Sequence, residues 1–276
     1  MASVEEAVSK RGESREPMVL IHGFSGSGSW WDPVLESLES SFEMLPVTLA
    51  GHVGGPGLGD TPASVRALVD AVERDMDAAG FESAHLVGCS LGGWIAFELA
   101  KRGRARTVVA ISPAGGWEAG SRAARRLTSL FIRLHKQTTT LLPRIDSLVR
   151  RPRLRHLLLW QAAAHGERVP PAAAAALIQN SVNCPVYFEL LDAMASEPTP
   201  RSFDGLTCPV LLAWGTKDRI LPGRTYSQRF HELLPRAEWL TLQGLGHLPM
   251  LEDPELVART IANFAGRVPE PVAVGA

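Results

Sequence analysis

In the segment Ala84-His85-Leu86-Val87-Gly88-Cys89-Ser90-Leu91-Gly92-Gly93-Trp94-Ile95-Ala96-Phe97-Glu98-Leu99-Ala100-Lys101, a short apolar run gives way to a Gly-x-Ser-x-Gly pentapeptide and then to a run of helical composition. A strand, a sharp turn with serine at its apex and a helix make a nucleophile elbow. The turn is too tight for side chains at its flanks, so Gly88 and Gly92 are expected where backbones close up on one another. The elbow lifts the Ser90 hydroxyl above the sheet and sets it near the positive end of the following helix.

Outward from the elbow, strand and helix patterns alternate. Met18 to His22 reads as a strand leading into His22-Gly23-Phe24 and a Ser/Gly-rich loop. Asp32-Pro33 is expected to start a helix, with Asp32 as its cap. Phe42 to Leu49 reads as the next strand, followed by the glycine-rich loop Gly51 to Gly57. Thr61-Pro62 is expected to open a second helix, whose Val65, Leu68, Val69, Val72 and Met76 recur at helical spacing. Thr107 to Ile111 is a fourth strand. After a long interval, Pro209 to Trp214 is a strand, 223–234 a helix, Trp239 to Leu242 a strand and 254–265 a final helix. Alternation of this kind predicts a parallel sheet of about six strands with helices on both faces.

Between about Trp117 and Pro200 no strand is predicted, only helical segments broken by proline. The expected organisation is a polar N-terminal extension (1–17), a core (18–116 and 201–266), a helical cap inserted in the sheet (117–200) and a flexible tail (267–276). The cap holds ten arginines and Lys136 against six carboxylates. Its Leu127, Leu130, Phe131 and Leu134 share one helical face, which predicts an amphipathic cap with a basic exterior. The sharper reading is a cap that attracts an anionic acyl group, a carrier phosphate or a membrane surface.

A serine hydroxyl attacks only when a base takes its proton and a third group orients that base. Behind a nucleophile elbow the acid and the histidine follow the serine in that order, on loops leaving the carboxyl ends of later strands. Asp218, in Gly215-Thr216-Lys217-Asp218, and His247, in Gly244-Leu245-Gly246-His247, stand on two such loops. Glu252, Asp253 and Asp192 are substitutes for the acid, although Asp253-Pro254 reads as a helix cap. The oxyanion needs two backbone donors, expected from Leu91 and from Phe24. His22 is expected to shape that second loop, His52 to brace the glycine-rich loop, and Cys89 to be a small core residue. Leu157 to Trp160, Met194, Trp30, Trp31 and Trp94 are candidates for an apolar pocket, with core packing as the plainer reading.

Composition narrows the rest. The chain has 276 residues and a net charge of -1, which gives no pull toward nucleic acid or an anionic membrane. No apolar run approaches the ~18 residues of a membrane span. Three scattered cysteines exclude a disulfide framework or a cysteine metal site, and a cytoplasmic location is expected.

These motifs resemble the α/β-hydrolase superfamily, in the branch with a helical cap and a serine nucleophile. The matching segments are His22-Gly23-Phe24, Gly88 to Gly93, Pro209 to Asp218, and Gly246-His247 with Leu251-Glu252-Asp253-Pro254, spanning about residues 18–265. The resemblance implies a Ser90–Asp218–His247 triad and an acyl-enzyme mechanism without metal or organic cofactor. Residues 1–17 are expected to be too short and polar to supply the antiparallel hairpin with which many relatives begin, and the Asp many carry before the Gly-His of the glycine-rich loop is replaced here by Thr48-Leu49-Ala50-Gly51-His52. Haloalkane dehalogenases and epoxide hydrolases of this fold carry Asp at the apex where Ser90 stands. The expected activity is hydrolysis of a small-molecule carboxylic ester with a small or medium apolar acyl group. Thioester cleavage, carbon–carbon cleavage and perhydrolysis use the same residues, and a receptor built on a retained site is the non-catalytic alternative. Oligomeric state is left open at this level.

Overall fold

The computed structural model describes residues 15–197, 202–203 and 205–267. Six strands form one sheet: β1 (Glu16–Ile21), β2 (Phe42–Val47), β3 (Ala84–Cys89), β4 (Ala105–Ile111), β5 (Val210–Gly215) and β6 (Glu238–Leu242). The order is β2-β1-β3-β4-β5-β6 and every pairing is parallel. The expectations for 1–14 and 268–276 lie outside the described residues.

The inner strands read as continuous apolar runs because both faces of the sheet are covered. Successive side chains divide between two layers. Val19, Ile21, Leu86, Val108 and Leu212 face α2 (Val65–Ala78) and α3 (Leu91–Lys101). Met18, Leu20, Val87, Val109 and Leu211 face α1 (Asp32–Leu38) and, near the C-terminus, Pro254–Ala265. Between β4 and β5 lie α4 (Arg122–Leu141), α5 (Ile145–Val149), α6 (Pro152–Leu158), α7 (Pro171–Val182) and α8 (Tyr187–Ser196). No described residue of that interval is in a strand. Beyond β5 come α9 (Gly223–Tyr226), α10 (Gln228–Leu233), α11 (Pro249–Glu252) and α12, the Pro254–Ala265 helix.

Three local expectations need correction. Asp32 is the first residue of α1 and caps nothing: a 3-10 turn, Gly28–Trp31, runs directly into the helix and already supplies helical backbone. The helix expected at Thr61 begins at Val65, capped by the extended Ser64, whose hydroxyl accepts the Ala67 N–H. Carboxylates of α8 and its end hold that start, Glu189 accepting Ala63 N–H and Glu197 accepting Val65 N–H. The helix expected over 223–234 breaks at Ser227 into α9 and α10. By contrast, Asp253 does cap α12, accepting the Leu256 N–H.

The order places the site. From β1 the chain moves to one side to make β2, then returns to the other side of β1 for β3 and continues outward. Between β1 and β3 the direction reverses, and a crevice opens beyond the carboxyl ends at such a point. The loop carrying Phe24 leaves β1 there, and the turn carrying Ser90 leaves β3 beside it.

Candidate active site

Ser90 occupies φ 57, ψ -119 between β3 and α3, a region that side chains other than glycine rarely adopt. Its neighbours over-determine that conformation. Ser90 N–H donates to Ile111 C=O at 2.9 Å, and its carbonyl accepts Ala114 N–H at 2.8 Å. A Cβ on Gly88 would stand 2.2 Å from the Gly92 carbonyl oxygen, and one on Gly92 would stand 2.1 Å from that of Ile21. The two glycines therefore serve the close approach inferred from the pentapeptide. Cys89 points the other way, into the core, with Sγ 3.5 Å from the His247 carbonyl. Burial, with the Asp218 charge adding to it, pushes its thiol pKa up, which makes it a poor nucleophile.

Asp218 and His247 meet behind this turn. His247 Nδ1 donates to Asp218 Oδ2 at 2.8 Å, with both side chains almost wholly buried. The other carboxylate oxygen accepts Ile220 N–H at 3.0 Å and Leu221 N–H at 2.8 Å. Three fixed donors leave the carboxylate one orientation. Because the carboxylate accepts, a proton sits on Nδ1, and in the neutral ring the lone pair is then on Nε2. Ser90 and His247 line one cavity. Ser90 Oγ makes no hydrogen bond of 3.5 Å or shorter to a described residue, a looseness common before substrate arrives.

Of the substitute acids, Glu252 does different work. Its Oε1 accepts the N–H of Gly246, next to His247, and its Oε2 accepts the N–H of His165, between α6 and α7. Asp253 caps α12, and Asp192 lies on α8. Sequence reasoning placed Glu252 among candidates without finding this bridge, since its partner is a backbone group 87 residues away.

The loop from β1 is set by His22. Leu49 N–H donates to its Nε2 at 2.9 Å, so the proton lies on Nδ1, 2.6 Å from the Gly23 carbonyl that accepts it. Burial, and then the nearby His52, push the His22 pKa down to about 3. His22 is thus a neutral brace, and the Gly23-Phe24 turn it holds lies against Ser90: a Cβ on Gly23 would be 3.0 Å from that of Ser90. Leu91 N–H is the first of α3 and has no helical partner. Phe24, Ser90 and Leu91 share the wall of a small side cavity of about 10 Å³. His52 Nδ1 donates to the Ala50 carbonyl at 3.2 Å, within its own loop.

The cavity holding Ser90 and His247 has a volume of about 110 Å³ and is lined mainly by carbon. Trp30, Phe131, Leu134, Leu158 and Leu159 are on its wall, Met194 lines the side cavity, and Trp31 and Trp94 belong to the core. Leu157 and Trp160 point outward, Leu157 being 69% exposed. Its roof comes from the segment between β4 and β5, which grips the core loops directly. The Ala162 carbonyl accepts both His247 and Leu248 N–H, Ser25 Oγ donates to Ser181 Oγ, and Asn180 Nδ2 donates to Ser27 Oγ. Among the described residues no three His, Cys, Asp or Glu side chains are grouped to hold a metal. No described helix is long and apolar enough to cross a membrane.

A parallel sheet with a serine elbow at its switch point and an Asp–His pair on the loops that leave β5 and β6 defines an α/β hydrolase. The chain belongs to the alpha/beta hydrolase family, whose model matches residues 18–260. It is 35% identical over 198 residues to the epoxide hydrolase EphH of Mycobacterium tuberculosis (strain ATCC 25618 / H37Rv), covering 71% of this chain and 92% of that one. It is 25% identical over 256 residues to the putative carbamate hydrolase RutD of Escherichia coli O44:H18 (strain 042 / EAEC), covering 89% of this chain and 88% of the relative. A thermophilic esterase from Thermogutta terrifontis shares the fold, with a TM-score of 0.69 and 21% identity over 92% of this chain and 91% of the esterase. Family and relatives together make the protein a hydrolase.

Proposed function

We propose that this hydrolase cleaves a carboxylic ester with a small or medium apolar acyl group, using Ser90, His247 and Asp218. The observation that carries the reading is the buried 2.8 Å bond from His247 Nδ1 to Asp218 Oδ2, made on the wall of the cavity that Ser90 enters. It leaves Nε2 as the base. Ser90 Oγ attacks the ester carbonyl as its proton passes to Nε2, and Asp218 stabilises the imidazolium formed. The N–H groups of Phe24 and Leu91 hold the oxygen that becomes negative. His247 then gives the proton to the departing alcohol, leaving an ester on Ser90. Water, deprotonated by the same Nε2, attacks that ester and releases the acid. The segment 117–200 acts as a cap over the cavity, and the core comprises 18–116 and 201–266. The same reading takes the protein to work in the cytoplasm, which its three unpaired cysteines support.

The similarity to an epoxide hydrolase favours a second reading, and the chemistry at Ser90 weighs against it. A carboxylate that opens an epoxide leaves an ester, which water can hydrolyse. A serine that opens one leaves an ether with no carbonyl to attack, so the cycle would stop. Intact mass after incubation with a fluorophosphonate tests the reading. One adduct on the wild type, missing from Ser90→Ala and His247→Ala, is expected. No adduct on folded wild type, together with turnover of an epoxide, would overturn it.

A further inference from the structure

A second cavity, of about 340 Å³, adjoins the one that holds Ser90 and His247. Gln161 and Ile220 stand on the wall of both. Its lining carries four arginines and no carboxylate. Arg126 and Arg133 come from α4, seven residues apart and so on one face of the helix, two turns from each other. Arg219 and Arg224 come from the opposite side, the segment that follows Asp218. None of the four makes an ion pair with a described carboxylate, whereas Arg102, Arg104 and Arg106 elsewhere all do. Arg219 is held in place: its guanidinium lies 3.6 Å from the Trp160 ring centre and donates to the Trp160 carbonyl at 2.9 Å.

Four like charges from two elements line one concavity and repel one another; the Trp160 ring and carbonyl offset Arg219, and no described carboxylate pairs with any of the four. Concave walls focus such a field, so the opening attracts small anions strongly. Guanidinium groups match carboxylate and phosphate oxygens in pairs. A basic exterior to the cap explains arginines scattered over α4, but not the pair contributed from the core side. The net charge of -1 and the concave shape also speak for a small ligand over a nucleic acid.

On the reading of Ser90 as an acyl-transfer nucleophile, we infer that this cavity binds an anionic group, carboxylate or phosphate, of the substrate whose carbonyl sits at Ser90. The group belongs either to the acyl part, as in a half-ester of a dicarboxylic acid, or to the leaving group, as in a phosphorylated carrier. The ester or thioester bond is broken as described above, and the anion takes no part in bond making.

Two substrate pairs separate the sources, each measured on wild type and on the exposed Arg126→Gln/Arg133→Gln double variant. One pair is the p-nitrophenyl half-ester of glutaric acid and p-nitrophenyl pentanoate. The other is S-acetyl-pantetheine with and without its phosphate. In one pair the anionic member is expected to lead in kcat/KM by about tenfold or more, chiefly through KM, and the ratio to fall toward one in the variant. Salt at 0.5 M should shrink the wild-type ratio as well (Debye screening on the order of a few Å). Calorimetric titration with glutarate and inorganic pyrophosphate reads the cavity without turnover, and the double variant should lose the heat of binding. Neutral ester turnover without an anionic preference in either pair, and without measurable anion binding, overturns the inference. Binding that the double variant abolishes, in a protein that turns over no ester, would uphold the anion site and sink the ester reading instead.

Discussion

His22 accepts the Leu49 N–H through Nε2 only while its ring is neutral, and burial keeps it so, with a pKa of about 3. In the unfolded chain the same ring titrates near 6.5. A pKa lowered by folding gives stability that is present above 6.5 and lost as pH falls from there toward 3. Between pH 7 and pH 5 the loss from this one ring is about 2 kcal/mol. Burial lowers the pKa of His52 in the same direction and adds to it. Urea unfolding at the two pH values should show a difference that shrinks by about that amount in His22→Asn; an unchanged difference would contradict a neutral brace. Ser90 makes the complementary case, since its φ of 57 is held against its own preference. Ser90→Ala and Ser90→Gly should both lower kcat by at least about four orders of magnitude. Ser90→Gly should nevertheless be more stable than Ser90→Ala by about 1 kcal/mol, read as a higher Tm, because glycine takes the turn without strain. Equal stabilities would mean that the turn stores no strain.

At the scale of elements, the β3–turn–α3 unit was legible because its evidence is local. Apolar residues on both faces mark a buried strand, and two glycines mark a turn whose closeness is measured in the backbone. Gly92→Ala would set a Cβ 2.1 Å from the Ile21 carbonyl oxygen, part of a central strand that cannot move aside. A loss of about 3 kcal/mol or more is expected by thermal unfolding. Gly57→Ala meets nothing nearer than 4.0 Å and should leave the Tm where it is. The residues Asp218 and His247 were legible for the same reason, each lying on a loop after a plain strand signal. The start of α2 was not, because Glu189 and Glu197 reach it from α8, more than 120 residues onward. Nor was the break at Ser227, which no proline or glycine marks. Ser64 is a local trace of that start, but the carboxylates that favour it over Thr61-Pro62 are distant and leave none, and the bridge made by Glu252 was hidden in the same way.

Across the whole molecule, the helical segment between β4 and β5 is tied to the very loops that carry the candidate catalytic groups. Ala162 accepts the N–H of His247 itself, and a Cβ on Gly246 would stand 2.6 Å from the Ala164 nitrogen. Roof and histidine loop are therefore one packed unit, with Glu252 at its centre joining Gly246 N–H to His165 N–H. Glutamine fills the same space as glutamate but brings one accepting oxygen and one NH2. In Glu252→Gln one of the two N–H groups, the buried one of Gly246 or the half-buried one of His165, must face a donor and go unpaired, at a cost of about 1–3 kcal/mol, the upper end if it is that of Gly246. For a chain of this size that corresponds to a fall in Tm of roughly 2–4 °C per kcal/mol. Because the freed N–H belongs either to the residue before His247 or to the roof above it, kcat should fall with stability while Asp218 and Ser90 are untouched. Glu252→Ala, which frees both, should fall further in Tm and in kcat. A Glu252→Gln protein with the Tm and kcat of the wild type would show that the roof and the histidine loop hold their positions independently.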